Sequence, residues 1–262
     1  MVLQISSAQS ESDADSTPIL FVHGMWHGAW CWEEHFLPYF AQHGYDAYAL
    51  DLRGHGGSDG RDRLRWTSLN DYVTDVEQVA RQMPTAPIVV GHSMGGMIVQ
   101  KYLERNRAPA AVLLASTSPH GVLPTTLRLA RRHPLAFAKV GLTFSMVPLV
   151  ASPQLAREAF FSEDMPAAQL TSYFTRLQDE SSRAMLDMVA LNLPRPKRVK
   201  TPLLVLGGTD DQLVSPAEVQ ATARAYNTEA ELFPHMAHDM MLEAGWAAVA
   251  DRILKWLNEL AI

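Results

Sequence analysis

Two hydrophobic periods alternate along this chain. Short apolar runs fall at 19–23, 45–50, 87–91, 110–115, 202–206 and 230–233. Each is too short for a helix, and turn-forming residues flank them, so each predicts a buried strand. Between them, apolar residues recur at helical spacing. Trp32 to His43 aligns Phe36, Leu37, Phe40 and Ala41 and stops at Gly44. Ser68 to Met83 aligns Tyr72, Val76 and Val79, and Gly95 to Arg105 follows the third strand. Pro216 to Tyr226 opens on a proline suited to a first helical turn. Gly245 to Leu260 turns Trp246, Val249, Ile253, Trp256 and Leu257 inward. Strands alternating with helices predict an α/β fold with a mostly parallel sheet and helices on both faces. Ser6 to Thr17, polar and acidic, predicts a loop between short initial strands.

The alternation stops between Ser118 and Lys200. A structureless loop of that length does not suit a compact domain. Helical patterns occupy Leu123 to Arg132, Pro153 to Phe161, Pro166 to Asp179 and Ser181 to Leu191. The expected organisation is a core of residues 1–118 and 200–262 with a helical cap, 119–199, inserted over the site. The cap supplies Phe137, Leu142, Phe144, Met146, Leu149, Phe160, Met165, Phe174, Met185 and Met188. Most of these predict the cap's own core. Together they also predict an apolar entrance, which disfavours large polyanionic substrates, and methionine adapts to several shapes.

Composition narrows the classes further. The 262 residues suit one large domain, and 47% hydrophobic with 19% charged is ordinary globular composition. A net charge of −6 argues against nucleic acid as a partner. Cys31 is the single cysteine, so no intrachain disulfide forms, and its neighbours Trp30 and Trp32 predict a packed thiol. Met1 to Thr17 lacks a basic segment followed by an apolar core, and no run approaches the ~18 apolar residues of a membrane span. The expectation is a cytoplasmic protein, monomer or homodimer, without integral membrane association.

Chemistry concentrates at Gly91-His92-Ser93-Met94-Gly95. A β-branched run ends there and an amphipathic run begins, the strand–turn–helix context of a nucleophile elbow. A serine hydroxyl needs a base and an anion-stabilising pocket. His235 and His238 follow the last strand and both can supply the base. His238 is favoured, because His235 abuts the strand. Asp210 and Asp211 follow a buried strand, and one of them would orient the imidazole. Gly24 permits a turn that aims the Met25 N–H at the site, and the Met94 N–H at a helix start is the second oxyanion donor. His23, Gly24, Trp26, His92 and Met146 are the candidate substrate contacts. No metal ligand set has suitable spacing around His235 and His238, and Asp51 to Ser58 lacks a Walker lysine, so no metal, phosphate loop or cofactor is expected. That glycine-rich loop reads as structural, with Arg53 bonding backbone carbonyls.

These segments together resemble the α/β-hydrolases of the serine esterase/lipase group. The matching parts are His23-Gly24, Asp51 to Ser58, Gly91 to Gly95 and the paired acid and histidine loops. The order Ser93, acid, His238 is that of the family. The family loop Gly-Asp-x-Asp-x-x-Val carries its acid at the second Asp, so the resemblance of Gly208-Thr209-Asp210-Asp211-Gln212-Leu213-Val214 implies Asp211. His23 to Trp32 is similar to plant methylesterases and hydroxynitrile lyases. Lyases of that group carry a lysine after the histidine, where this chain has Asp239. The resemblance therefore implies hydrolysis of a small to medium, apolar carboxylic ester through an acyl-enzyme. Alternatives with the same residues are C–C bond, amide or lactone hydrolysis, perhydrolysis, or a receptor-like ligand binder with slow turnover. Dehalogenases and epoxide hydrolases carry an aspartate where Ser93 stands.

Overall fold

The computed structural model describes residues 1–10 and 17–262. Among the described residues, seven strands form one sheet. They are β1 (Ile5–Ala8), β2 (Ile19–Val22), β3 (Ala47–Leu50), β4 (Ile88–His92), β5 (Ala111–Leu114), β6 (Leu203–Gly208) and β7 (Ala230–Phe233). Their order across the sheet is β1-β3-β2-β4-β5-β6-β7. Only the β1–β3 pair is antiparallel. Every residue of β2, β4, β5 and β6 is buried, as expected of parallel strands covered on both faces.

The core helices are α1 (Trp30–Glu33), α2 (Phe36–Gln42), α3 (Leu69–Ala80) and α4 (Met94–Tyr102). Between β5 and β6 stand α5 (Leu123–Arg132), α6 (Pro134–Thr143), α7 (Pro153–Phe160), α8 (Ala167–Phe174) and α9 (Ser182–Leu186). Then come α10 (Pro216–Ala225) and α11 (Trp246–Glu259). Capping fixes several starts. Ser68 and Asp71 form a reciprocal capping box on α3, and Ser215 and Glu218 do so on α10. All described elements between β5 and β6 are helical. None of the described helices is long and apolar enough to cross a membrane.

Several expectations are corrected. Ser6 to Ala8 belongs to β1, paired with β3 in place of the expected loop. Residues 11–16 of that loop lie outside the described residues. Trp32 to His43 is two short helices, broken at His35, where φ is −131°. The helix α6 replaces a stretch without a predicted element. Within the insertion, Phe160, Met165 and Met188 are buried, but Leu142 is 82% exposed and Phe144 57%. Arg53 bonds the carboxylates of Asp75 and Asp71 on α3, not backbone carbonyls.

Topology places the site. Strand order reverses at β2–β4, and the carboxyl edge beside such a switch point is where open α/β sheets bind ligands. In the parallel register Val22 pairs with Gly91. The loop after β2 and the turn after β4 therefore meet. The neighbouring β6 and β7 likewise bring together the loops holding Asp211 and His238.

Candidate active site

Ser93 is the turning point between β4 and α4. Its φ is 53° and ψ −118°, a strained setting for a non-glycine residue. The surroundings hold it there. Its N–H donates to the Leu114 carbonyl at 3.1 Å, and its carbonyl accepts from the N–H groups of Thr117 and Gly96 at 3.1 and 3.0 Å. The turn needs close backbone approach. A Cβ on Gly91 would stand 2.5 Å from the Gly95 carbonyl oxygen, and one on Gly95 would stand 2.2 Å from that of Val22. Ser93 occupies the N-cap of α4 but makes no side-chain capping bond. Its hydroxyl is not committed to the helix.

His238 is buried in the loop after β7. Its Nδ1 lies 2.7 Å from Asp211 Oδ2. With a carboxylate there, Nδ1 carries hydrogen and Nε2 keeps its lone pair. Asp211 Oδ1 accepts from the N–H groups of Leu213 and Val214, both at 2.8 Å. Asp210 is exposed and bonded to the Thr209 hydroxyl, and His235 is exposed, so neither joins the pair. Burial pushes the His238 imidazole down. The Asp211 carboxylate, with Asp239 behind it, outweighs burial and holds the ring above its ordinary value.

The remaining candidates separate. Met25 and Trp26 line an apolar cavity beside Ser93, together with Leu149, Met146, Met185 and Met188 from the insertion and Leu213 and Val214 from the acid loop. Its volume is about 570 Å³ including the open mouth. Trp26 also donates from Nε1 to the Met146 carbonyl at 3.2 Å. Met94 begins α4, so its N–H has no acceptor within the helix. His23, Gly24 and His92 do not line the cavity. His23 is fully buried and accepts at Nε2 from the Leu52 N–H at 3.1 Å. Gly24 instead makes room, since a Cβ there would stand 2.9 Å from the Ser93 Cβ. His92 donates from Nε2 to the His238 carbonyl at 3.0 Å. Burial and the neighbouring His238 hold its imidazole down at about 3.

His92, His238 and Asp239 place possible metal-ligand atoms within 4.8 Å of one another. Each residue spends one such atom in a hydrogen bond. His238 Nδ1 faces Asp211, His92 Nε2 faces a carbonyl, and Asp239 Oδ2 faces His27 Nε2 at 2.9 Å. With His238 held to Asp211, His92 to a backbone carbonyl and Asp239 to His27, the cluster fits a polar network better than a metal centre. Cys31 is buried, and burial with nearby Asp239 and Asp51 pushes its thiol well up, which fits packing.

Two groups at the site escaped sequence reasoning. Thr117 supports Ser93 through both its N–H and its hydroxyl, at 3.1 and 3.2 Å from the Ser93 carbonyl. His27 had a signal only in its unusual density of neighbouring aromatic residues.

The chain belongs to the alpha/beta hydrolase family, whose model it matches over residues 19–252. It is 29% identical to a non-heme chloroperoxidase of Streptomyces lividans over 84% of this chain and 86% of that protein. It is 26% identical to a monoacylglycerol lipase of Mycolicibacterium smegmatis, over 85% of this chain and 81% of the lipase. Among solved structures, a thermophilic esterase of Thermogutta terrifontis superposes with a TM-score of 0.75 at 17% identity. That match covers 98% of this chain and 93% of the esterase, and shows a shared fold.

Proposed function

We propose that the protein is a serine hydrolase of carboxylic esters with small to medium, largely apolar acyl or alcohol groups. The observation that carries this reading is Ser93, strained at the β4–α4 turn, lining an apolar cavity whose wall continues into the loop of the His238-bound Asp211. The esterase and lipase names among the relatives support it.

The His238–Asp211 hydrogen bond supports the following course of reaction. His238 Nε2 takes the Ser93 proton as Oγ attacks the ester carbonyl. Asp211 keeps the tautomer and faces the imidazolium that forms. The N–H groups of Met25 and Met94 receive the oxyanion, a contribution worth several kcal/mol in such sites. The imidazolium returns its proton to the departing alcohol. Water, deprotonated by His238, then releases the acid from the acyl-enzyme. These steps draw on the chain's own groups and call for no cofactor. The helical insertion acts as the cap over this centre.

The chloroperoxidase relative favours a second reading with the same residues. Hydrogen peroxide replacing water at the acyl-enzyme gives a peroxy acid and restores the serine.

Ser93→Ala tests the shared core of both readings. Turnover of short p-nitrophenyl esters and labelling by a fluorophosphonate probe should fall to background, with the thermal midpoint retained. Wild-type turnover in that variant would refute the mechanism. Labelling of the wild type without ester turnover would move the reading to another bond or to a ligand binder.

A further inference from the structure

Beside the reacting groups lies a buried histidine–carboxylate pair that the reaction does not use. His27 and Asp239 are both fully buried, and Nε2 lies 2.9 Å from Oδ2. The two residues are 212 positions apart. Each adjoins a different half of the site. The other ring nitrogen of His27 lies 2.7 Å from the Met25 carbonyl. Asp239 follows His238 directly, and its N–H donates to the Phe160 carbonyl at 2.9 Å.

Both nitrogens of His27 thus face oxygen atoms, one on each half of the site. The carbonyl it holds belongs to the residue assigned as an oxyanion donor. The next residue, Trp26, has φ of 65°, an unusual conformation for a bulky side chain. That turn needs external restraint, and the His27 bond to Met25 provides part of it. The Phe160 ring from the insertion closes the assembly. It lies edge-on to His27 at 5.0 Å and stacks near His238 at 6.3 Å.

The second oxygen of Asp239 distinguishes this pair from simple packing. Oδ1 is buried with no hydrogen-bond partner and lies 3.7 Å from His92 Nε2. That separation is too long for a hydrogen bond. A buried carboxylate oxygen without a partner is costly, so its retention calls for an explanation.

We propose that His27 and Asp239 form a positioning pair that locks the oxyanion turn to the His238 loop and sets a second carboxylate behind the imidazolium. The inference rests on the serine-hydrolase reading. Its chemistry is specific. As His238 gains the Ser93 proton, Asp211 faces Nδ1 while Asp239 supplies long-range negative charge. His27 Nε2 holds Oδ2 at 2.9 Å and so fixes the orientation of the carboxylate. A lysine in the Asp239 position would reverse the sign of the field on the imidazolium.

The charged surroundings define the pH test. His238 faces Asp211 from the β6 loop, Asp239 beside it and the neutral His92 from β4. Asp239 faces His27, His92 and His238. Cys31, Tyr173 and Glu243 also lie within its field; the first two are pushed up by burial and stay neutral near pH 7. Removing the Asp239 charge takes away an influence that raises His238. The base then stays unprotonated to lower pH, and the acid limb of kcat/KM moves down.

The test compares Asp239→Asn, His27→Gln and the double variant with wild type and Ser93→Ala, on one p-nitrophenyl ester. In Asp239→Asn, kcat should fall about ten- to hundredfold, the scale of a small misplacement of reacting groups. KM should stay within about twofold, because neither residue touches the cavity. The acid limb should move to lower pH. His27→Gln should lose kcat similarly, keeping an amide near Asp239 but releasing Met25. The double variant should lose less than the product of the singles. If Asp239→Asn does not fold, the kcat and KM split in His27→Gln decides the matter. Unchanged kcat in the folded variants, or a lost kcat with an unmoved acid limb in Asp239→Asn, overturns the proposal. Loss in Ser93→Ala beside unchanged positioning variants leaves the hydrolase reading standing. Retained activity in Ser93→Ala removes that reading itself.

Discussion

Adjacent residues of the same type have opposite fates at this site. Asp210 and Asp211 are neighbours, yet only Asp211 is buried, receives two backbone N–H groups and faces His238. Asn in place of Asp211 reverses the donor and acceptor logic at Nδ1 and disfavours the tautomer with a free Nε2. Asp211→Asn should lower kcat by about 10³–10⁴-fold on a p-nitrophenyl ester, whereas Asp210→Asn should change it by less than about threefold. Equal losses would show that the acid loop acts only as support. Local chemistry explains why Ser93, His238 and the acid loop could be found in the sequence, while the choice of Asp211 over Asp210 came from the family resemblance of that loop. Ser93 sits between glycines that the turn requires, and both the acid and the histidine follow strand ends. The His27–Asp239 pair has no such local rule, because its partners meet only when the β2 and β7 loops converge. The same holds for Thr117, whose role depends on the position of the Ser93 carbonyl. His23 and His92 show the converse error. Their closeness to the motifs suggested substrate contact, but the rings turn inward and satisfy backbone groups.

Strands and long core helices were legible because their periods match their surroundings. The β7 bounds at Ala230 and Phe233 and the α5 bounds at Leu123 and Arg132 agree with the sequence pattern. The α6 helix was missed because its apolar residues surround it without a polar face, and none of them is fully buried. The extension of β1 past Ser6 into the expected loop was missed because its serines are polar and its place is the edge of the sheet. Contacts between elements were least legible, and the attachment of the insertion is the main example. Glu180 binds His55 Nε2 at 3.1 Å and the Tyr72 hydroxyl at 2.7 Å, joining the insertion to the Asp51–Ser58 loop and α3. Burial opposes both charges. The pair attraction nevertheless holds His55 above and Glu180 below their ordinary values. The Glu180 contribution is complete above the unfolded carboxylate value and fades as pH falls through the folded one. The His55 contribution is complete below the unfolded imidazole value and fades as pH rises through the folded one. Both are fully present only at about pH 5–6. Glu180→Gln should therefore destabilise the protein by about 3 kcal/mol in that window, with a smaller penalty at about pH 9. Denaturant unfolding at the two pH values measures the difference, and a penalty independent of pH would rule out charge pairing as the cause.

Across the whole molecule, the loops at the sheet edge carry the proposed reacting groups and the insertion supplies much of the cavity wall. Several attachments fix their relative position. Besides Glu180, the Asp187 carboxylate accepts from the Leu69 N–H at 3.0 Å, and Glu243 accepts from the Ser162 hydroxyl at 2.7 Å. With the insertion held in this way, cavity size should depend on its side chains more than on sheet movement. Met188 is the clearest place to test this, since it is 1% exposed and lines the cavity beside Ser93. Truncation should cost stability by about 2–5 kcal/mol, the usual range for a buried methionine. It should also enlarge the space for the substrate. Met188→Ala should raise the ratio of kcat/KM for octanoate over acetate p-nitrophenyl esters by about tenfold, because one methylene in an apolar pocket commonly carries such a factor. Met185→Trp, which adds bulk to the same wall, should move the ratio the other way. Acetate turnover serves as the internal control for folding and for the Ser93 chemistry. If both variants change the two esters equally, the insertion stabilises the site without bounding the substrate, and selectivity must come from the oxyanion turn and the acid loop instead.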